Sequence, residues 1–251
     1  MKVGLLTLAI WTPIVFGAIL LALGRDDQAR TVRWLALIGA LVSFLVTLPL
    51  YGQFDTTTAS MQFVENVPWI RGFNVNYHLG LDGISFWFVL LTAFITVVVV
   101  ISAWEVITER VNQYMGAFLI LSGLMIGVFC ALDAVLFYTF FEATLIPMYL
   151  IIGIWGGPNR IYAAFKFFLY TLLGSLLMLI ALVFLYTKSG GSFDILTWYK
   201  LPLSSLAQTL LFFGFFAAFA VKVPMWPVHT WLPTCTWKRP PAAPPCWPRS
   251  C

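Results

Sequence analysis

Two charged residues sit where charge is most expensive. Glu142 lies inside the apolar run Ala134–Trp155, and Lys222 lies near the end of the run Leu203–Met225; each is the only charge in its run. A charge at the bilayer centre costs on the order of 2.5–3.5 kcal/mol even on lenient insertion scales, so such residues usually face inward, find partners and carry function. Around Glu142, Tyr138, Thr139 and Tyr149 recur at helical spacing, which predicts one polar stripe on an apolar helix. Pro147 has no N–H for the ladder and should free a carbonyl near Glu142. Lys222 is followed by Pro224 and Pro227, so the helix should break just after it. His229 sits just beyond the break, an imidazole of the kind that can shuttle protons.

Burial and a neighbouring carboxylate pull a lysine's hold on its proton in opposite directions. An intramembrane Lys beside a movable Glu can therefore pass a proton on. Two blander readings of the residues stand beside this: a static buried pair that fixes helix packing, and a Lys222 that snorkels to the interface. Lys166 at a span start reads as snorkelling or as an extension of a polar path. Asp133 reads as a helix cap, Asp82 in Gly-Leu-Asp-Gly-Ile-Ser as a turn and helix start, and His78 as a loop residue.

The elements that must position these groups follow from composition. Hydrophobic residues make up 61% of the chain, charged residues 10%, and mean hydropathy is +0.92. Soluble domains are about a quarter charged, so this is an integral membrane protein. Crossing the hydrocarbon takes ~20 apolar residues in a helix. Seven segments qualify: Val3–Leu23, Val32–Tyr51, Ile84–Ala103, Met115–Leu132, Ala134–Trp155, Ala163–Tyr186 and Leu203–Met225. Runs such as Phe94–Ile101 do not alternate, which excludes barrel strands. The fold class is all-α and polytopic.

Trp34, Trp104, Trp155 and Trp198 near span ends fit an interfacial belt. With the N-terminus outside, inner loops carry Arg25, Arg30, Arg33, Arg110, Arg160 and Lys166, against Lys2, Arg71, Lys188 and Lys200 outside; this bias favours N-out. Within the Gly52–Gly83 connection, Val67–Leu81 predicts a short hairpin. No basic cluster suits nucleic acid. No phosphate loop, dinucleotide fingerprint, iron–sulfur cysteine set or intramembrane histidine pair is present, so redox chemistry is not expected on this chain.

Residues 234–251 differ from the rest. They hold Pro240, Pro241, Pro244, Pro245 and Pro248, with Cys235, Cys246 and Cys251, and no acidic residue. The cysteine spacing fits no metal motif, and the segment reads as a disordered tail to a membrane domain spanning 1–233.

The motifs resemble a family. Phe140–Gly157, Lys166–Thr171 and Phe219–Pro233 resemble the fifth, sixth and broken seventh helices of subunit M of bacterial NADH:quinone oxidoreductase (respiratory complex I), and Gly80–Ser85 is similar too. The resemblance covers roughly residues 1–233. It implies the amino-terminal part of an antiporter-like fold of about fourteen helices, with two inverted repeats and a broken helix in each. It implies a proton path entered through Glu142 and Lys222, with His229 near the break also on it. It also implies a bacterial inner-membrane location and other membrane subunits of complex I as partners. NADH, FMN, iron–sulfur clusters and quinone would then lie on other subunits. Mrp-type cation/proton antiporter subunits share the fold, so an antiporter subunit is an alternative, as is a non-catalytic scaffold.

The family continues Leu-Pro-Asp-x-His-x-Glu-Ala-Pro, whereas this chain has Leu232, Pro233, Thr234, Cys235 and Thr236. Placing one G before the codon for Thr234 and regrouping allows Asp-Val-His-Val-Glu-Ala followed by Pro. The same shift lets Cys246–Pro248 read Val-Leu-Ala. A missing base is therefore expected near codon 234, leaving a truncated chain that is inactive alone. Sequencing the gene there decides it: an intact frame with no family-like alternative would sink the expectation.

Overall fold

The computed structural model describes residues 4–23 and 28–232; the tail expected over 234–251 lies outside the described residues. Seven helices are long and apolar enough to cross a membrane. They are α1 (Leu5–Leu23), α2 (Ala29–Gln53), α3 (Ser85–Val106), α4 (Val111–Cys130), the broken pair α5 (Ala134–Ala143) and α6 (Leu145–Trp155), α7 (Arg160–Lys188) and α9 (Ser205–Lys222). A short α8 (Ile195–Trp198) lies between α7 and α9. The seven-span reading holds. The boundaries move where polar residues are helical: α7 extends to Arg160 and Lys188, residues an apolar count leaves out.

Helix α4 is the hub. In its span 61% of residues are buried, against 17% in α9. Between membrane helices there is no hydrophobic drive, so small residues that let backbones approach take over. A Cβ placed on Gly17 of α1 would stand 2.7 Å from the Gly116 carbonyl of α4, and one on Gly116 would stand 2.9 Å from the Gly17 carbonyl. The two backbones meet at a reciprocal glycine contact. Thr96 of α3 donates to the Ser122 hydroxyl of α4 at 2.7 Å, fully buried.

The expected hairpin is present and longer than expected. Strands β1 (Gln62–Ile70) and β2 (Val75–Leu81) pair antiparallel around a turn closed by Asn74 in the left-handed region. The hairpin is tied to the bundle by side chains. Glu65 accepts the Leu6 N–H at 2.8 Å and the hydroxyl of Thr7, capping the start of α1. That places a carboxylate at the positive end of a helix.

Asp133 caps α5, accepting N–H bonds from Val135 at 2.9 Å and Leu136 at 3.2 Å, and also takes the Asn76 N–H of β2 at 3.0 Å. It is 1% exposed, and burial pushes its carboxyl up from the usual range against the pull of these donors. Asp82 opens α3 by accepting from Ser85 and Ile84; the Ser85 bond holds its carboxyl below the usual range. His78 is not a loop residue. It lies in β2, 3.9 Å from Asp194, and its carbonyl accepts the Leu132 N–H. The last three residues of β2, Leu79, Gly80 and Leu81, are all buried.

Gly17→Leu should destabilise the bundle by about 1–3 kcal/mol through overpacking. Gly52→Ala, with nothing within 4 Å of the added Cβ, should not. Thermal unfolding of both variants in detergent checks the contrast.

Candidate functional site

The site grows from two interrupted helices. In α5–α6 the interruption falls at Thr144, whose φ of −62° and ψ of −21° keep the chain nearly helical. Pro147 has no N–H to give the Ala143 carbonyl, so the ladder loses a bond one turn upstream. The Thr144 hydroxyl donates to the Phe141 carbonyl at 2.7 Å. The span Ala134–Trp155 has 22 residues, which puts Thr144 roughly 15–17 Å from either end at 1.5 Å per residue. That is about the midplane of a ~30 Å hydrocarbon core.

Helix α9 ends at Lys222, as its prolines dictate. The Met225 N–H reaches back five residues to the Ala220 carbonyl at 2.9 Å. The Val221 carbonyl is taken instead by the Trp231 indole N–H at 2.9 Å. A 3₁₀ turn over Val228–Trp231 follows the break. It packs back on α7, where Trp231 meets Phe167 at 5.1 Å between ring centres, Lys166 Nζ donates to the Thr230 carbonyl at 2.9 Å, and the Thr230 hydroxyl donates to Tyr170 at 3.2 Å. The Ala220, Val221 and Thr230 carbonyls around the break are thus bound by protein, as membrane depth requires.

Lys222 turns into the bundle and does not snorkel. Its Nζ donates to Thr144 Oγ1 at 3.0 Å and lies 4.4 Å from the centre of the Phe141 ring, a cation–π geometry. Glu142 is electrostatically coupled to Lys222, and the Ser175 hydroxyl of α7 stands beside its carboxylate. Its Oε1 is buried with no protein hydrogen-bond partner. Among the described residues the one acid–base side-chain contact within 4.0 Å is His78–Asp194, so Glu142 and Lys222 are neighbours that do not touch. His229 lies in the 3₁₀ turn with Nδ1 buried and likewise unpartnered.

The expected polar stripe is split. Tyr138 and Glu142 share the Ser175 side. Thr139 instead lines a cavity of about 820 Å³ beneath the hairpin, with Trp11, Glu65 and Tyr77. Tyr149 packs against Phe165 and Phe168 of α7. Thr144 and Ser175, which contact the charged pair, were not singled out from the sequence. Their signal was a hydroxyl inside an otherwise apolar run. Trp155, assigned to the interface, donates to the Glu109 carbonyl at 2.9 Å, and Trp198 to Ser192 at 3.0 Å.

Comparison with known proteins adds a family to this geometry. Residues 31–132 match the family profile described as NADH-ubiquinone oxidoreductase chain 4, amino terminus, and residues 131–242 match NADH:quinone oxidoreductase/Mrp antiporter, TM. The chain is 53% identical over 246 residues to NADH-quinone oxidoreductase subunit M of Rhodobacter capsulatus, covering 91% of this chain and 47% of that protein. It is 46% identical over 220 residues to NADH-ubiquinone oxidoreductase chain 4 of Arabidopsis thaliana, covering 87% and 44%. Among solved structures, respiratory complex I from Thermus thermophilus aligns with a TM-score of 0.80 at 37% identity, covering 92% of this chain and 46% of that one. The Mrp complex from Dietzia aligns with a TM-score of 0.78 at 22% identity, covering 92% and 25%, a likeness of fold. The chain spans about half the length of the curated relatives it matches.

Lys166→Met keeps the apolar stem and loses the bond to Thr230. Amide exchange over residues 228–231 should then quicken severalfold, while exchange in α4 stays unchanged; equal protection in both proteins would contradict the anchoring role.

Proposed function

The chain belongs to the subunit M (chain 4) family of NADH:quinone oxidoreductases, and from that premise we propose that it serves as a proton-translocating membrane subunit of such a complex. The observation that carries the reading is a lysine ammonium docked on Thr144 at a helix break near the membrane midplane, two residues along from a carboxylate whose buried Oε1 has no protein partner. A contact pair would lock both charges. A separated pair with a partnerless carboxylate oxygen leaves Glu142 able to take a proton and Lys222 able to pass one on. His229, beyond the break, is the third and weakest member of the relay.

The partners are the other membrane subunits of the complex, and the redox groups (NADH, FMN, iron–sulfur clusters and quinone) reside on other subunits. The chain sits in the bacterial inner membrane with its N-terminus outside, which puts the hairpin, the α4–α5 junction and the α7–α8 connection together on the outer side. Those three segments are already joined by the Leu79–Ala131 and Asp133–Asp194 bridges. A cation/proton antiporter subunit is the second reading, supported by the shared fold; co-purification with redox subunits separates the two.

Glu142→Gln, in membrane vesicles that assemble the chain with its reading frame restored near codon 234, should lower NADH-driven proton uptake at least tenfold, because the variant cannot take the proton. Unchanged uptake would rule out the assigned role.

A further inference from the structure

Resting on that reading, we propose that Thr144 is a positioning residue for the relay: its hydroxyl docks the Lys222 ammonium and holds it off Glu142. The geometry at the helix break supports this in three ways. First, the Thr144 hydroxyl gives its single proton to the Phe141 carbonyl at 2.7 Å. What it presents to Lys222 is therefore a lone pair, an acceptor for the ammonium at 3.0 Å. A hydroxyl has one proton to donate and an ammonium has no acceptor, so Lys222 is the donor in this contact.

Second, the same turn supplies a second contact. The Phe141 ring lies 4.4 Å from Nζ and is itself steadied by Phe219 of α9, 6.1 Å away and perpendicular. Hydroxyl and ring together hold the ammonium from two directions. Third, Thr144 is only two residues beyond Glu142, yet the docked ammonium makes no ion pair with the carboxylate within 4.0 Å, and Glu142 Oε1 has no protein partner. Residues two apart on a helix do not face each other, so a lysine bound at Thr144 is turned away from Glu142. The interruption in α5–α6 matters here, because it is Thr144 at that interruption whose side chain points at Lys222.

Removing the hydroxyl frees the ammonium to turn toward the neighbouring Glu142 carboxylate. The pair should then close. The test uses infrared spectra of the full 251-residue chain in lipid nanodiscs, with the Glu142 band defined as the one lost in Glu142→Gln. It needs no proton pumping, so it can fail or succeed independently of the transport assay. Thr144→Val should move the Glu142 band to that of a carboxylate in direct contact with an ammonium, and Thr144→Ser should leave it in place. In a Lys222→Met background Thr144→Val should have no effect. A Thr144→Val band that stays put with Lys222 present, or that moves equally without Lys222, would overturn the proposal. Should Thr144→Val not fold, Thr144→Cys, of similar size but a weak acceptor, carries the same two expectations.

Discussion

A lysine ammonium near the middle of a hydrocarbon layer must be surrounded by acceptors that lipid does not supply. The rest of this architecture answers that constraint. Two helices are interrupted, α5–α6 at Thr144 just before Pro147 and α9 at Lys222 just before Pro224. The first interruption brings the Thr144 hydroxyl to the ammonium, and the second ends α9 where the lysine can turn inward. Side chains take carbonyls at and beyond the breaks that would be costly in lipid: Thr144 on Phe141, Trp231 on Val221, Lys166 on Thr230.

Those local solutions rest on a rigid frame. Helix α4 is packed on α1 through glycine backbones and cross-linked to α3 by a buried hydroxyl pair. On the hairpin side, Asp133 binds the start of α5 to β2. The helix carrying Glu142 is thereby fixed at its first residue, eight positions before the carboxylate. Helix α9 is the least buried span, so the lysine is held on the more exposed helix and the glutamate on the better anchored one.

Much of this was legible in the sequence, for physical reasons. Composition fixes a membrane solution, and continuous apolar runs distinguish helices from strands. Prolines 224 and 227 announce the end of α9, and a lone Glu or Lys in an apolar run marks a site because its cost is so high. What could not be read was the partner of each charge. Spacing along one helix suggested that Thr139 accompanies Glu142, but the carboxylate faces α7 and Thr139 faces the cavity under the hairpin. Thr144 is a common residue whose role depends on a helix break and on an α9 side chain 78 positions away in sequence. His78, read singly as a loop residue, lies in β2 within the hairpin that Val67–Leu81 predicts.

The central claim is that Glu142 and Lys222 are coupled through a short gap inside the membrane. Nitrogen-15 side-chain NMR of lysine-labelled chain in bilayers, recorded as a pH titration with and without Glu142→Gln, addresses it most directly. The account predicts that the Lys222 resonance changes its titration midpoint when the Glu142 carboxylate is removed, while Lys188 and Lys200 do not. A Lys222 that titrates identically in both proteins would contradict it.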